Sequence, residues 1–304
     1  MTMLDTVFDA LATSSALLTA CVFILSLLIG SFLNVVIHRL PLMLEREWRA
    51  QAREVLQFGG EWATQAPTYN LVVPRSACPH CHAPIRAHQN IPLLSYLWLR
   101  GRCASCRARI SPRYPLVELA TGLLSAAVAW RYGWHWQTLA ALVLTWALIA
   151  LTVIDYDHQV LPDAITLPLL WLGLMLAIAW QPGMRPTIPV APASAILGAA
   201  GGYLVLWLVY WVFKLATGKE GMGYGDFKLL AAFGAWMGWQ MLPLVILLSA
   251  LTGAVVGIAL IVFRGRERGR PMPFGPFLAM AGWIAMMWGP QLMGGYLRYT
   301  GFAN

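Results

Sequence analysis

The sequence predicts an all-α polytopic membrane protein with about eight transmembrane helices and one small polar loop domain. Of its 304 residues, 59% are hydrophobic and only 11% are charged. A stretch of about 20 apolar residues is enough to cross the hydrocarbon core of a bilayer. Several stretches of that length carry almost no charge, so the composition excludes both a soluble globular protein and a disordered one.

Eight apolar segments are predicted to span the membrane. They are residues 16–37, 115–130, 136–154, 161–180, 193–213, 227–239, 241–263 and 274–288. The sixth is short for a span, and we expect it to tilt or to be partly sheltered by its neighbours. The apolar segments and the polar stretch between the first two divide the chain into three parts. These parts are a first membrane segment (1–37), a loop domain (38–114) and a multi-span core (115–304).

The distribution of basic residues predicts the orientation. If the N-terminus is outside, the cytoplasmic segments are 38–114, 155–160, 214–228 and 264–273. These segments carry all of the 21 Lys and Arg residues except Arg131, Arg185 and Arg298. Basic residues accumulate in cytoplasmic loops, so this orientation is favoured. The net charge of +8 therefore reflects topology and contact with the lipid bilayer, and we expect no nucleic-acid partner.

Two C-x2-C pairs lie in the loop domain, formed by Cys78 with Cys81 and by Cys103 with Cys106. Four thiolates that converge in a tetrahedron are typical of structural zinc, because they leave no open position for catalysis. A redox dithiol or two disulfides are the alternatives, and the reducing cytoplasm argues against both. We therefore predict a zinc-ribbon-like domain whose folding depends on the metal, since the loop has few apolar residues for a core.

Carboxylates cluster at the predicted cytoplasmic ends of the spans. Asp155, Asp157 and Asp163 follow the third span, and Asp226 follows three closely spaced glycines. Two carboxylates in one low-dielectric site cannot both ionise cheaply, so they share a proton and can activate water while protonating a carbonyl. This is the requirement for aspartic proteolysis. The glycines fit it, because they permit a close approach of a substrate backbone.

Other interpretations of these acids stay open from spacing alone. Asp155, Asp163 and Asp226 can each cap a helix, and spacing does not choose between Asp155 and Asp157. An ion or solute transporter with a zinc-binding cytoplasmic loop is the alternative function, but it places carboxylates near the bilayer midplane instead of at one face. A membrane-tethered zinc ribbon that binds a partner is a second alternative. It accounts for the arginines but gives the acidic residues no function.

Four motifs occur in an order that resembles the type IV prepilin leader peptidases, which are Gly-x-Gly-Asp membrane aspartic proteases. The motifs are GSFLNVVIHRLP (30–41), the pair CPHC and CASC (78–81 and 103–106), IDYDHQVLPD (154–163) and GMGYGDFKLL (221–230). The likeness is closest to the bifunctional members that serve type IV pili and type II secretion. It extends to PFGPFLAMAGW near the end of the chain. The resemblance implies that Asp155 and Asp226 are the catalytic pair.

The resemblance also implies the reactions, substrates and location. Such enzymes remove the basic leader of type IV prepilins and type II secretion pseudopilins, typically after a Gly and before a Phe. They then N-methylate the new terminal residue with S-adenosylmethionine. Their active site lies at the cytoplasmic face of the bacterial inner membrane, with the N-terminus periplasmic. No Gly-rich methyltransferase fingerprint is visible, so the cofactor site is unknown. The cytoplasmic loop and its neighbours, including Gly101, are where we would expect it.

Overall fold

The computed structural model describes residues 3–56, 68–182, 188–264 and 272–301, and the regular elements in these ranges are helices. The α-helices are α1 (Met3–Thr13), α2 (Ser15–Val55), α3 (Leu94–Trp98), α4 (Arg113–Tyr132), α5 (Trp136–His158), α6 (Asp163–Ile178), α7 (Pro192–Thr217), α8 (Tyr224–Met237), α9 (Leu242–Arg264) and α10 (Gly275–Tyr299). Short 3-10 turns occupy Ala87–Asn90 and Trp239–Met241. The prediction of an all-α chain is confirmed.

A helix occupies each of the eight predicted membrane positions. Four helical stretches are long and apolar enough to cross a bilayer, namely Ser15–Val55, Trp136–His158, Pro192–Thr217 and Trp239–Phe263. The helix Asp163–Ile178 is apolar but shorter. The protein therefore has several apolar helices, as a multi-pass membrane protein requires, while the number of about eight spans stays a prediction.

Helix α2 is much longer than the first predicted span. It begins after Ser14, whose side chain accepts a hydrogen bond from the Leu17 N–H, and it continues for 41 residues to Val55. A helix of that length measures about 60 Å, roughly twice the hydrocarbon core. Charged residues end the hydropathy signal near position 37, but most of them are good helix formers. The predicted boundary between 37 and 38 thus falls inside a continuous helix, and the three-part division stays a prediction.

The chain forms two compact units, Met1–Thr138 and Leu139–Asn304. In the first unit α2 packs closely against α4. A Cβ atom added at Gly30 would lie 2.8 Å from the Glu118 Cα, and one at Gly122 would lie 2.8 Å from Leu27 Cδ2. These glycines therefore allow the two helix backbones to approach each other.

Helix α8 is the centre of the second unit. Its residues from Asp226 to Met237 are buried, apart from the half-buried Lys228. Gly198 on α7 and Gly234 on α8 face each other so closely that neither position has room for a side chain. On another side of α8, Trp236 Nε1 donates to the Leu169 carbonyl at 2.8 Å. At 14 residues, α8 is too short to cross a bilayer alone, and the expectation that its neighbours shelter it is confirmed.

Four of the arginines used to predict orientation, Arg185, Arg266, Arg268 and Arg270, lie outside the described residues. The orientation of the chain across the membrane stays a prediction.

Candidate active site

Asp155 and Asp226 lie close together in the second unit. Asp155 is in the last turn of α5, and Asp226 is in the first turn of α8. Each is only 6% exposed, and their carboxylates interact electrostatically. Two acids from helices far apart in the chain therefore share one buried place. This is the juxtaposition that proton sharing requires.

A glycine at the start of α10 fixes the position of Asp155. The backbone N–H of Gly275 interacts with the Asp155 carboxylate. A Cβ atom at Gly275 would lie 2.6 Å from Asp155 Oδ2 and 3.2 Å from Leu161 Cδ1. Since the first N–H groups of a helix have no partner within it, the start of α10 is well suited to hold a carboxylate.

Leu161 connects this arrangement to the glycine motif before Asp226. A Cβ atom at Gly225 would lie 2.7 Å from the Leu161 Cβ, so the leucine fits between Gly225 and Gly275. The backbone N–H of Gly223 interacts with the Asp226 carboxylate. Within the described residues, Asp226 Oδ1 is buried and has no hydrogen-bond partner. Such an oxygen is unusual in a folded protein.

The other two predicted acids lie at the surface of the second unit. Asp157 is exposed. Asp163, at the start of α6, pairs with Lys228 on α8, and the Lys228 Nζ lies 2.7 Å from each carboxylate oxygen. The structure thus brings Asp155 and Asp226 together and places Asp157 and Asp163 outside the buried pair.

The loop between α7 and α8 is attached to α7 by polar and aromatic contacts that the sequence did not predict. Lys214 Nζ donates to Glu220 at 2.8 Å and to the Tyr210 hydroxyl at 3.0 Å. This contact holds the pKa of the Glu220 carboxyl below its usual value. The rings of Tyr210 and Tyr224 lie 5.3 Å apart, as do those of Tyr224 and Phe227. These contacts hold Tyr224, which precedes Gly225, and Phe227, which follows Asp226.

The four loop cysteines converge in the first unit. The Sγ atoms of Cys78, Cys81, Cys103 and Cys106 all lie within 4.8 Å of one another, and Cys78 Sγ is 3.9 Å from Cys106 Sγ. Tetrahedral zinc with bonds of about 2.3 Å separates its sulfur ligands by about 3.8 Å. The four thiols therefore fit a tetrahedral metal ion, and the prediction that they form one cluster is confirmed.

The two cysteine pairs are held by hairpins with the same hydrogen bonds. In the first hairpin the Cys78 N–H donates to the Ala83 carbonyl, and the His82 N–H donates to the Cys78 carbonyl. In the second, the Cys103 N–H donates to the Ala108 carbonyl, and the Arg107 N–H donates to the Cys103 carbonyl. His82 and Arg107 also share a positive φ, of 56° and 61°. The backbone thus repeats one cysteine-presenting turn.

Backbone donors favour the metal-binding form of one cysteine. Hydrogen bonds from the backbone of Cys106 and Ser105 lower the pKa of the Cys103 thiol to about 6. The neighbouring Cys106 thiol has its pKa raised to about 11 by burial and by the other thiols, so the lowered pKa favours the thiolate, which is the form that binds metals, at Cys103.

Two residues that shape the aspartate pair were missed as site residues. Leu161 lies in the motif IDYDHQVLPD and Gly275 in PFGPFLAMAGW, but neither residue type suggests a role in catalysis. Their contribution is close packing and a backbone N–H, which residue type alone does not reveal.

Comparison with known proteins assigns the chain to a family. Residues 24–132 match the Bacterial Peptidase A24 N-terminal domain, and residues 142–258 match the Type IV leader peptidase family. A Prepilin leader peptidase/N-methyltransferase of Pseudomonas aeruginosa is 57% identical over 97% of this chain and 98% of its own. The chain belongs to the type IV leader peptidase family. The resemblance predicted from the four motifs is confirmed, and the chain is an enzyme.

Other relatives of the same name are also similar over most of the chain. The protein of Aeromonas hydrophila is 60% identical over 91% of this chain and 92% of its own, and that of Neisseria gonorrhoeae is 53% identical over 86% and 87%. All three are bacterial. No solved structure matches the chain.

Proposed function

We propose that Asp155 and Asp226 are the catalytic pair with which this chain removes the leader peptides of type IV prepilins. The chain is a prepilin leader peptidase with N-methyltransferase activity, by membership of its family and by the names of its close relatives. The observation that carries the residue assignment is the electrostatic interaction between two buried carboxylates from α5 and α8.

The surroundings of the pair suit peptide hydrolysis. One carboxylate accepts a proton from water as the water attacks the scissile carbonyl carbon, and the other gives its proton to the carbonyl oxygen. Asp226 Oδ1, which lacks a partner among the described residues, is free to take part in this transfer. Gly225 and Gly275 present no side chains at the pair, so Leu161 can pack between them and Asp155 can lie against the start of α10.

The substrates are prepilins and the pseudopilins of type II secretion, cut between a Gly and a Phe at the cytoplasmic face of the inner membrane. The basic leader remains in the cytoplasm while the apolar pilin helix lies in the bilayer. This arrangement agrees with a periplasmic N-terminus and with acids at the cytoplasmic ends of the spans. Lys and Arg residues concentrate in the same loops, as they do in cytoplasmic loops generally.

The four-cysteine cluster holds structural zinc. Four sulfur ligands leave no position for water or substrate, so the metal stabilises the loop and takes no part in hydrolysis. The described part of the loop supports this role, because Cys78 and Pro92 are its buried residues besides those of the flanking helices. Metal coordination therefore replaces a hydrophobic core.

Methyl transfer uses S-adenosylmethionine as the methyl donor, and its site stays unassigned. Gly101 remains the predicted neighbourhood. It has a φ of 65°, and a Cβ atom there would lie 3.0 Å from the Tyr96 ring. The backbone thus approaches the hydroxyl end of the Tyr96 ring two residues before Cys103.

Asparagine variants test the catalytic pair. Asp155→Asn and Asp226→Asn each keep the size of the side chain but cannot exchange the proton, so leader removal should fall by at least about 100-fold. Asp157→Asn is the matched control, because Asp157 is close in sequence and exposed. Its cleavage rate should equal that of the original chain in a detergent assay with a prepilin substrate.

The outcome separates two explanations of the acids. If either buried variant cleaves at a normal rate, the pair does not carry out the hydrolysis. If Asp157→Asn is the inactive variant, the second carboxylate has been assigned to the wrong residue. Thermal unfolding of each variant establishes that a lost activity is not a lost fold.

A further inference from the structure

A second buried carboxylate, Glu118 on α4, has no part in the proposed hydrolysis. It is 9% exposed. Among the described residues, no ion pair joins it to a basic side chain. The other buried charge of the first unit, Arg39, donates to the carbonyls of Asn70 and Pro74 at 2.9 and 2.6 Å. Within the described ranges, Glu118 is thus a buried carboxylate without a paired cation.

Three segments of the first unit are arranged around Glu118. The Leu93 N–H donates to Glu118 Oε2 at 2.9 Å, and the Ser31 side chain interacts with the same carboxylate. Gly30 brings α2 within reach of α4 at this point. Leu93 has a φ of 59°. A positive φ is strained for a bulky residue, and residues with such strained backbone cluster at functional sites. The loop around Leu93 therefore adopts a backbone conformation that directs an N–H to the Glu118 carboxylate.

A structural role alone does not require the negative charge. A neutral glutamine would also accept the Leu93 N–H, and it would avoid the cost of burying a carboxylate. A buried carboxylate that stays ionised without sharing a proton needs a partner of opposite charge. Since the described part of the chain supplies no such cation here, the partner is expected to come from a ligand.

We propose that Glu118 binds the α-ammonium group of the newly cleaved pilin and takes a proton from it before methylation. This inference rests on the proposed function, because the ammonium exists only after the leader has been removed. The proton passes from nitrogen to a carboxylate oxygen. The freed lone pair forms the new N–C bond to the methyl group, and the electrons of the broken C–S bond remain on the donor sulfur.

The methyl donor is also a cation, but its chemistry suits Glu118 less well. Its sulfonium has no N–H to donate and no proton to lose. Its positive charge also disappears as the methyl group leaves, so a carboxylate beside it would stabilise the starting state more than the transition state. The ammonium gains from the contact in both binding and proton transfer.

The first test measures cleavage and methylation separately in the full chain with Glu118→Gln. Glutamine keeps the acceptor for Leu93 and removes only the charge. Methylation of a pilin already cleaved should fall by at least about 100-fold, as expected for loss of a general base, while leader cleavage is unchanged. Thr121→Ala is the matched control. It lies on the same face of α4 near Gly30 and keeps Glu118, so both activities should be retained.

The second test measures binding in the absence of the methyl donor. The probe is a labelled peptide with the N-terminal sequence of the mature pilin, compared with the same peptide acetylated at its α-amine. The unmodified chain should bind the free amine more tightly, and Glu118→Gln should lose this preference. If the variant binds the amine normally but loses affinity for S-adenosylmethionine, the carboxylate recognises the sulfonium and the proposal is wrong.

Two further results would overturn the proposal. Normal methylation by Glu118→Gln would show that the carboxylate only anchors the loop. Joint loss of cleavage, methylation and bound metal would show that it supports the fold of the first unit. Failure of the proposed function looks different from both, because the unmodified chain itself would then neither cleave nor methylate a prepilin.

Discussion

The cysteine cluster of the first unit and the aspartate pair of the second unit are assembled in different ways. The cysteines come from two short hairpins with the same hydrogen bonds, and two of the four are exposed. The aspartates come from two helices of a packed core and are almost fully buried. The four cysteines lie close together in the sequence, and their cluster depends on all four sulfur ligands. The two aspartates lie far apart in the sequence, and their position depends on helix packing.

This difference determines what can disturb each site. Removal of one sulfur ligand weakens the metal coordination on which the fold of the loop is proposed to depend. In contrast, a single methyl group at a helix contact is enough to move a buried carboxylate, because close-packed interiors transmit small displacements. The first site should therefore fail by losing its metal, and the second by losing its geometry.

The largest expected effect is the loss of metal from the cysteine cluster. Cys78→Ser removes the buried ligand, so bound zinc should fall from a full complement to none after purification and gel filtration. The loop 68–112 should then become sensitive to limited proteolysis, because in our proposal the metal provides its folding free energy. Elemental analysis and mass spectrometry of the fragments measure both changes.

Cys21→Ser is the matched control for this variant. Cys21 lies in α2 and belongs to no metal-binding cluster among the described residues, so its replacement should leave both the metal content and the proteolysis pattern unchanged. A Cys78→Ser chain that retains a full complement of metal would contradict the four-sulfur site. Retained metal with a protected loop would show that the two hairpins fold without all four ligands.

The sequence predicted the cysteine cluster more completely than the aspartate site. Spacing within each C-x2-C pair specifies its geometry directly, so all four members were identified. For the aspartates, spacing alone left Asp155 and Asp157 equivalent. Their difference lies in burial on α5, which depends on long-range packing against other helices. The choice came from resemblance to a family.

The fold could be predicted only as far as hydropathy describes it. All eight apolar segments coincide with helices. The extension of α2 to Val55 was missed because charge ends the hydropathy signal without ending the helix. Gly275 was missed for a different reason, since its role comes from a backbone N–H and from the absence of a side chain.

A single methyl group at Gly275 should therefore reduce leader cleavage. In Gly275→Ala the new Cβ would lie 2.6 Å from Asp155 Oδ2 and 3.0 Å from Asp155 Cγ, so the carboxylate must move. A displacement of this kind costs about 100-fold in rate when the geometry of the reacting groups matters. The turnover rate of a prepilin in detergent measures it.

Gly253→Ala is the control for the added methyl group. Its Cβ would lie 3.6 Å from Phe277 Cδ2, which is an ordinary contact, and alanine is a better helix former than glycine. This variant should cleave at the normal rate. Equal activity of the two alanine variants would mean that the position of Asp155 tolerates change and that the second site is less dependent on packing than its burial indicates.

The smallest expected effect concerns the ion pair between Asp163 and Lys228, at the exposed edge of the buried site. The side chains are 55% and 26% exposed, and solvent screens such pairs, so a double-mutant cycle with Asp163→Asn and Lys228→Gln should give a coupling of under about 1 kcal/mol in unfolding free energy. The coupling should shrink further at 1 M salt, where the screening length is about 3 Å. A coupling several times larger, and insensitive to salt, would mean that this pair is shielded in the membrane environment. Burial would then extend beyond Asp155 and Asp226 to the edge of the site, and the contrast with the partly exposed cysteine cluster would be sharper.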